Sequence, residues 1–126
     1  MICDVIFLVD DDPINNLINR RLLAKTGICD KIIEFLSAQD ALNQIKLLKK
    51  EETLLIFLDI NMPVLNGWEF LEAYKDFFPE RNDKIIILSS SIDYQDRQKA
   101  MEYPMISGFL EKPLSLQKIS LQIGKY

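Results

Sequence analysis

Four apolar runs punctuate the chain, and each stops at polar or charged residues. Val5-Ile6-Phe7-Leu8-Val9 ends at Asp10-Asp11-Asp12, and Leu54-Leu55-Ile56-Phe57-Leu58 ends at Asp59. Ile85-Ile86-Ile87-Leu88 ends at Ser89-Ser90-Ser91, and Gly108-Phe109-Leu110 leads through Glu111 to Lys112-Pro113. Three of the runs are apolar without alternation, which predicts central parallel strands buried on both faces. A shorter strand from Lys31 to Leu36 carries Glu34, and the last strand carries Ser107, so both tolerate an edge.

Between the strands the apolar spacing turns helical. Pro13 suits the first turn of a helix, with Ile14, Leu17, Ile18 and Leu22 as its apolar face and Gly27 as its stop. Ser37 and Asp40 resemble a capping box ahead of a buried stripe of Ala41, Leu42, Ile45 and Leu48. A helix over Gly67 to Phe78 turns Phe70, Leu71, Tyr74 and Phe78 inward. Another, from Tyr94 to about Glu102, has only Ala100 and Met101 as clearly apolar positions. The last runs from Ser115 to Ile123, with Leu116, Ile119 and Ile123 on one face. Five strand–helix units with right-handed crossovers predict an α/β protein, a three-layer doubly wound fold on a parallel five-stranded sheet. The strand order that fits is 2-1-3-4-5, within one domain spanning residues 1–126. In that order the winding reverses between the first and third strands, and the crevice there is edged by Asp10, Asp11 and Asp59.

Composition narrows the function classes. With 48% hydrophobic and 27% charged residues, the chain has the make-up of a globular domain able to close a core. A net charge of -4 and no basic run longer than Lys49-Lys50 argue against a nucleic-acid or anionic-membrane surface. No signal peptide or membrane span is legible, which predicts a cytoplasmic protein. Cys3 and Cys29 lack metal-ligand spacing and are expected as reduced thiols. Histidine is absent, which removes the commonest general base and metal ligand.

Three carboxylates gathered at one sheet edge need compensation. Two of them about 5 Å apart repel by roughly 3 kcal/mol at an effective dielectric near 20. An all-oxygen donor set points to Mg²⁺, with Mn²⁺ as a substitute. An aspartate carboxylate can itself attack phosphorus, provided the phosphoryl oxygens are neutralised on every side. A divalent ion, the Lys112 ammonium and the Ser89 hydroxyl would supply that.

These motifs resemble the receiver domain of a two-component response regulator, in particular stand-alone receivers similar to the chemotaxis receiver. The matching residues are Asp10-Asp11 in FLVDDD, Asp59 in FLDINMPVLNGWEF, Ser89 in IIILSS and Lys112-Pro113 in FLEKP. The resemblance covers almost the whole chain and implies a flavodoxin-like (βα)5 fold. It implies Asp59 as phospho-acceptor, Asp11 as a direct Mg²⁺ ligand, Asp10 acting through a coordinated water, and Asn61 donating its main-chain carbonyl. Ser89 and Lys112 would handle the phosphoryl oxygens, Ser89 and Phe109 would act as switch residues, and the Lys112-Pro113 bond is often cis in the family. Ser89 stands where Thr is commoner, and Ser90 where a smaller Ala is frequent.

The resemblance implies a module that catalyses its own phosphorylation and dephosphorylation rather than an enzyme acting on others. Its partners would be a sensor histidine kinase or histidine phosphotransfer protein and a downstream protein target, with no nucleic acid or membrane. The chain is expected as a monomer or weak dimer. Its end shortly after the fifth helix implies output by protein contacts, through the face of the fourth helix, fifth strand and fifth helix. The alternative is a degenerate receiver that serves as an unphosphorylated interaction module. A phosphatase with an aspartyl intermediate fits less well, since Asn61 stands where its general-acid Asp belongs. A flavodoxin-like electron carrier fits less well too, since the acidic triplet would repel a flavin phosphate.

Overall fold

Every strand runs parallel to its neighbours in the order β2-β1-β3-β4-β5, as the apolar pattern predicts. The computed structural model describes residues 3–90 and 92–123, so Ser91, the last of the three serines, lies outside it. Chain order is β1 (Val5–Val9), α1 (Pro13–Thr26), β2 (Ile32–Phe35), α2 (Ala38–Ile45), β3 (Leu54–Asp59), α3 (Gly67–Phe77), β4 (Lys84–Ser89), α4 (Tyr94–Ala100), β5 (Ile106–Glu111) and α5 (Leu116–Ile123). No helix among the described residues is long and apolar enough to cross a membrane.

The pleat of the central strands divides the core in two. Val5, Phe7, Val9, Ile56 and Ile87 face α2 and α3, packing on Leu42, Ile45, Phe70 and Leu71. Ile6, Leu8, Phe57 and Leu88 face the other way, onto Leu23 of α1 and Ile119 of α5. Both faces of β1, β3 and β4 are thus covered, and Asp10 and Asp59 emerge together where the first and third strands stop.

The first helix departs from its predicted face. Ile14, Leu17 and Ile18 are 66%, 43% and 50% exposed, while Asn16, Asn19 and Leu23 point inward. The cause is visible at Asn16. Its Nδ2 donates to the Asp10 carbonyl at 3.0 Å and to the Phe35 carbonyl at 3.1 Å, tying the ends of β1 and β2 together. A buried amide with such partners is tolerated where periodicity alone asks for an apolar residue. The last helix differs similarly. Leu116 is exposed, and Gln122 is buried over Gly108, donating to the Ser107 carbonyl at 3.3 Å.

Local signals set the boundaries. The Asp12 carboxylate caps α1 by accepting from the Ile14 N–H at 2.9 Å, and Gly27 ends that helix at φ 69°. Ser37 Oγ caps α2 by accepting from the Asp40 N–H at 3.2 Å. Asn66 and Glu69 form a reciprocal capping box on α3, with bonds of 2.9 and 3.0 Å. Between β4 and β5 the register slips: Ile85 pairs with Ile106 but Ile86 pairs with Gly108, which leaves Ser107 as an extra residue.

Candidate functional site

Parallel register delivers the polar residues to one edge. Val9 pairs with Leu58, so the next residues, Asp10 and Asp59, stand side by side, and Asp59 in turn pairs with Leu88, just before Ser89. Oxygens of Asp10, Asp11 and Asp59 lie within 4.8 Å of one another; the first and last are buried and Asp11 is exposed. Lys112 reaches them from the end of β5. Its Nζ stands 2.8 Å from Asp10 Oδ2 as an ion pair and donates to Asp59 Oδ2 at 3.0 Å. The Lys112 backbone N–H donates to the Ser89 carbonyl at 2.8 Å, and the Lys112-Pro113 bond is cis.

Each carboxylate is oriented by a neighbouring amide. The Asp12 N–H donates to Asp10 Oδ1 at 2.9 Å, and the Asn61 N–H donates to Asp59 Oδ1 at 2.9 Å. Both Asp10 oxygens are therefore engaged within the protein, whereas Asp11 faces solvent. The Asn61 side-chain amide approaches Ser89 Oγ at 3.5 Å, and Ser89 is fully buried.

Burial is the main force pushing the Asp59 carboxyl above its usual range, helped by the Asp10 charge and opposed by the Asn61 N–H and Lys112. Burial works against the Lys112 ammonium, yet its hydrogen bonds and attraction to Asp10 and Asp59 carry its pKa above the ordinary lysine value. The lysine is thus a fixed cation facing two buried carboxyls. An all-oxygen cluster with an exposed member, Asp11, suits a hard divalent cation.

Of the predicted residues, the structure brings together Asp10, Asp11, Asp59, Asn61, Ser89 and Lys112. Phe109 lies apart, paired with Ile87 two positions before Ser89 and half-buried, with the Arg97 guanidinium of α4 at 5.1 Å from its ring. Sequence reasoning missed Asn16, which holds the Asp10 backbone; an amide one turn into a helix that follows an acidic triplet was its signal. It also missed the turn at Val64. This valine is fully exposed at φ 66°, and the Leu65 N–H donates to the Pro63 carbonyl across it at 2.8 Å. That is a γ-turn of the strained kind, held in the loop beside Asn61.

Comparisons with known proteins agree with this geometry. The family model described as the response regulator receiver domain matches residues 6–123. The protein-glutamate methylesterase/protein-glutamine glutaminase of Clostridium acetobutylicum is 33% identical over 123 residues, covering 90% of this chain and 33% of that protein. The crystal structure of a two component response regulator from Cytophaga hutchinsonii superimposes with a TM-score of 0.86 at 28% identity, over 99% of this chain and 97% of that one. A chain in the co-crystal structure of the Saccharomyces cerevisiae histidine phosphotransfer signaling protein Ypd1 and the receiver domain of its downstream response regulator Ssk1 matches with a TM-score of 0.81 at 26% identity, over 100% of this chain and 90% of that one. The chain spans a third or less of the curated relatives it matches, 33% of the methylesterase and 13% of the autoinducer 1 sensor kinase/phosphatase LuxN from Vibrio harveyi. With the match running from β1 to the last turn of α5, the chain belongs to the response regulator receiver domain family, a signalling module of two-component systems.

Proposed function

We propose that the chain accepts a phosphoryl group on Asp59 from a phosphohistidine of a sensor kinase or phosphotransfer protein. The observation that carries this is the Lys112 ammonium at 3.0 Å from a buried Asp59 whose carboxylate shares an oxygen cluster with Asp10 and Asp11. In the reaction an Asp59 oxygen forms a P–O bond as the donor's P–N bond breaks, the imidazole nitrogen taking the electron pair and then a proton. Lys112 and the Ser89 hydroxyl neutralise phosphoryl oxygens, and the Asn61 N–H holds the carboxylate in place for in-line attack. Asp11, Asp59 and the Asn61 carbonyl, with Asp10 acting through a coordinated water, would hold Mg²⁺, with Mn²⁺ as a substitute. When bound there, that ion supplies further charge compensation. Both Asp10 oxygens already have protein partners, which supports the indirect role for Asp10.

The donor docks on α1. Ile14, Leu17 and Ile18 form an exposed apolar surface beginning a few residues after Asp11, beside the site. Output passes through α4, β5 and α5. The phosphoryl charge of about -1.5 to -2 draws Ser89 inward, and Phe109 follows into the space behind it. In support, the seven-residue α4 buries only Ala100, and Arg97 holds it to the Phe109 ring, a weak anchorage for an element that moves.

The test is intact-mass analysis after incubation with a small phosphodonor, with and without Mg²⁺. Wild type gains one phosphate only with the metal, and Asp59→Asn gains none. A wild-type chain that never gains phosphate under any divalent ion is an interaction module instead.

A further inference from the structure

Two nucleophilic side chains stand outside the phosphoryl chemistry altogether. Cys3 precedes β1, and Cys29 lies in the turn between α1 and β2. They are 9% and 4% exposed and belong to the same apolar cluster under α1 and α5. The parallel pairing of β1 with β2 matches Ile6 to Ile32, and each cysteine precedes its member of that pair by the same three positions. The ladder itself starts at Ile6 and Ile32, with bends at Asp4 and Asp30, so the shared offset brings both cysteines to the same end of the β1–β2 pair. A disulfide between them requires a Cα separation of roughly 4.4–6.8 Å, about one strand spacing. The Cys29 thiol lies near enough to act on that of Cys3, and Cys29 Sγ donates to the Lys31 carbonyl at 3.4 Å. Burial, and then Cys29, push the Cys3 thiol up to about 12. Near neutral pH Cys3 is therefore a protonated and slow nucleophile.

We propose that Cys3 and Cys29 are a peroxide-driven disulfide site, forming an intramolecular staple between the entry of β1 and the α1–β2 turn. One thiolate of the pair attacks hydrogen peroxide, breaking its O–O bond; the departing hydroxide takes up a proton as water, and the cysteine becomes a sulfenic acid. The second sulfur then attacks the first and gives up its proton as the S–O bond breaks and a second water leaves. Two thiols and one peroxide thus yield one S–S bond and two waters. The oxidant is small enough to reach a sulfur that is nearly buried. The staple lies at the opposite end of β1 from Asp10 and Asp11, so it leaves the acidic cluster in place and restricts the unfolded chain instead.

The experiment treats the reduced full chain with hydrogen peroxide at pH 7 and pH 9. Residual thiols are blocked in acid, and the products are read by non-reducing tryptic mapping and thermal melting. The map decides, because methionine also takes up oxygen. The expected result is a monomer in which the peptide 1–20 is joined to 26–31, formed faster at pH 9. It should melt about 5 °C or more above the reduced protein. Dithiothreitol should return both to the starting state. Cys3→Ser and Cys29→Ser should each abolish the joined peptide and the melting shift. Should either variant fail to fold, the wild-type map alone decides. Sulfinic acid at either cysteine without the joined peptide, or only intermolecular dimers, overturns the proposal, as does a joined chain that melts no higher.

Discussion

The phenol of Tyr74 sits in a corner of the core that carries charge. It donates to Asp83 Oδ2 at 2.6 Å, and Arg81 grips the same carboxylate with bonds of 2.7 and 3.1 Å while reaching the Glu52 carbonyl at 2.8 Å. Burial, and then the Asp83 carboxylate, hold the Tyr74 hydroxyl well above the ordinary tyrosine value near 10. The folded protein keeps that proton to higher pH than the unfolded chain. Its contribution to stability is therefore whole below about pH 10 and is lost as pH rises through the folded value. Tyr74→Phe keeps the ring packing and removes the bond, so it should cost about 1–2 kcal/mol at neutral pH. It should also show a shallower alkaline fall in stability than wild type, read by urea unfolding across pH 7 to 11. An equally steep fall in both proteins would place the titration elsewhere. Residues of this sort were only half legible. Tyr74 could be placed on the inner face of its helix by spacing, but its partners Arg81 and Asp83 lie in the next loop, where periodicity carries no information. Asp59 and Lys112 were legible because each ends an apolar strand, a position that register converts directly into space.

At the scale of the element, α3 begins where no side chain fits. A Cβ on Gly67 would stand 2.6 Å from Ile60 Cα and 3.0 Å from the Asp59 carbonyl, both of them backbone. Gly67→Ala must therefore push the helix start away from the loop that follows Asp59, at a cost of about 1–3 kcal/mol. Since Asn61 rides on that loop, phosphate uptake from a small donor should fall several-fold beyond what lost stability explains. Unfolding curves and mass-based uptake on the same sample separate the two effects. Strands were the readable elements: unbroken apolar runs can only be central, and the polar intrusions Glu34 and Ser107 marked the two edges. The first helix was misread because its inner face closes with two asparagines, of which Asn16 donates its amide N–H groups to the strand-end carbonyls of Asp10 and Phe35. Leu48 fell past the end of α2 for a related reason. Spacing identifies a face but says nothing of where the backbone stops being helical.

Across the whole molecule, an exposed apolar row on α1 and a weakly anchored α4 lie on different sides of one acidic edge. If the donor docks on the first, replacing Ile14 and Ile18 by Ser should leave stability within about 0.5 kcal/mol, since both are exposed. Uptake from a small phosphodonor should be unchanged, while transfer from a phosphorylated histidine protein should slow by about tenfold. Equal rates from the protein donor would move the docking face elsewhere. One further consequence belongs to the slip between β4 and β5. Had Ser107 paired with Ile86 instead of bulging out, Ser89 would lie opposite Leu110, and Glu111 would come next. A carboxylate would then arrive where an ammonium now meets Asp10 and Asp59. A single surplus residue, far down an edge strand, decides the sign of the charge presented to the two buried carboxylates.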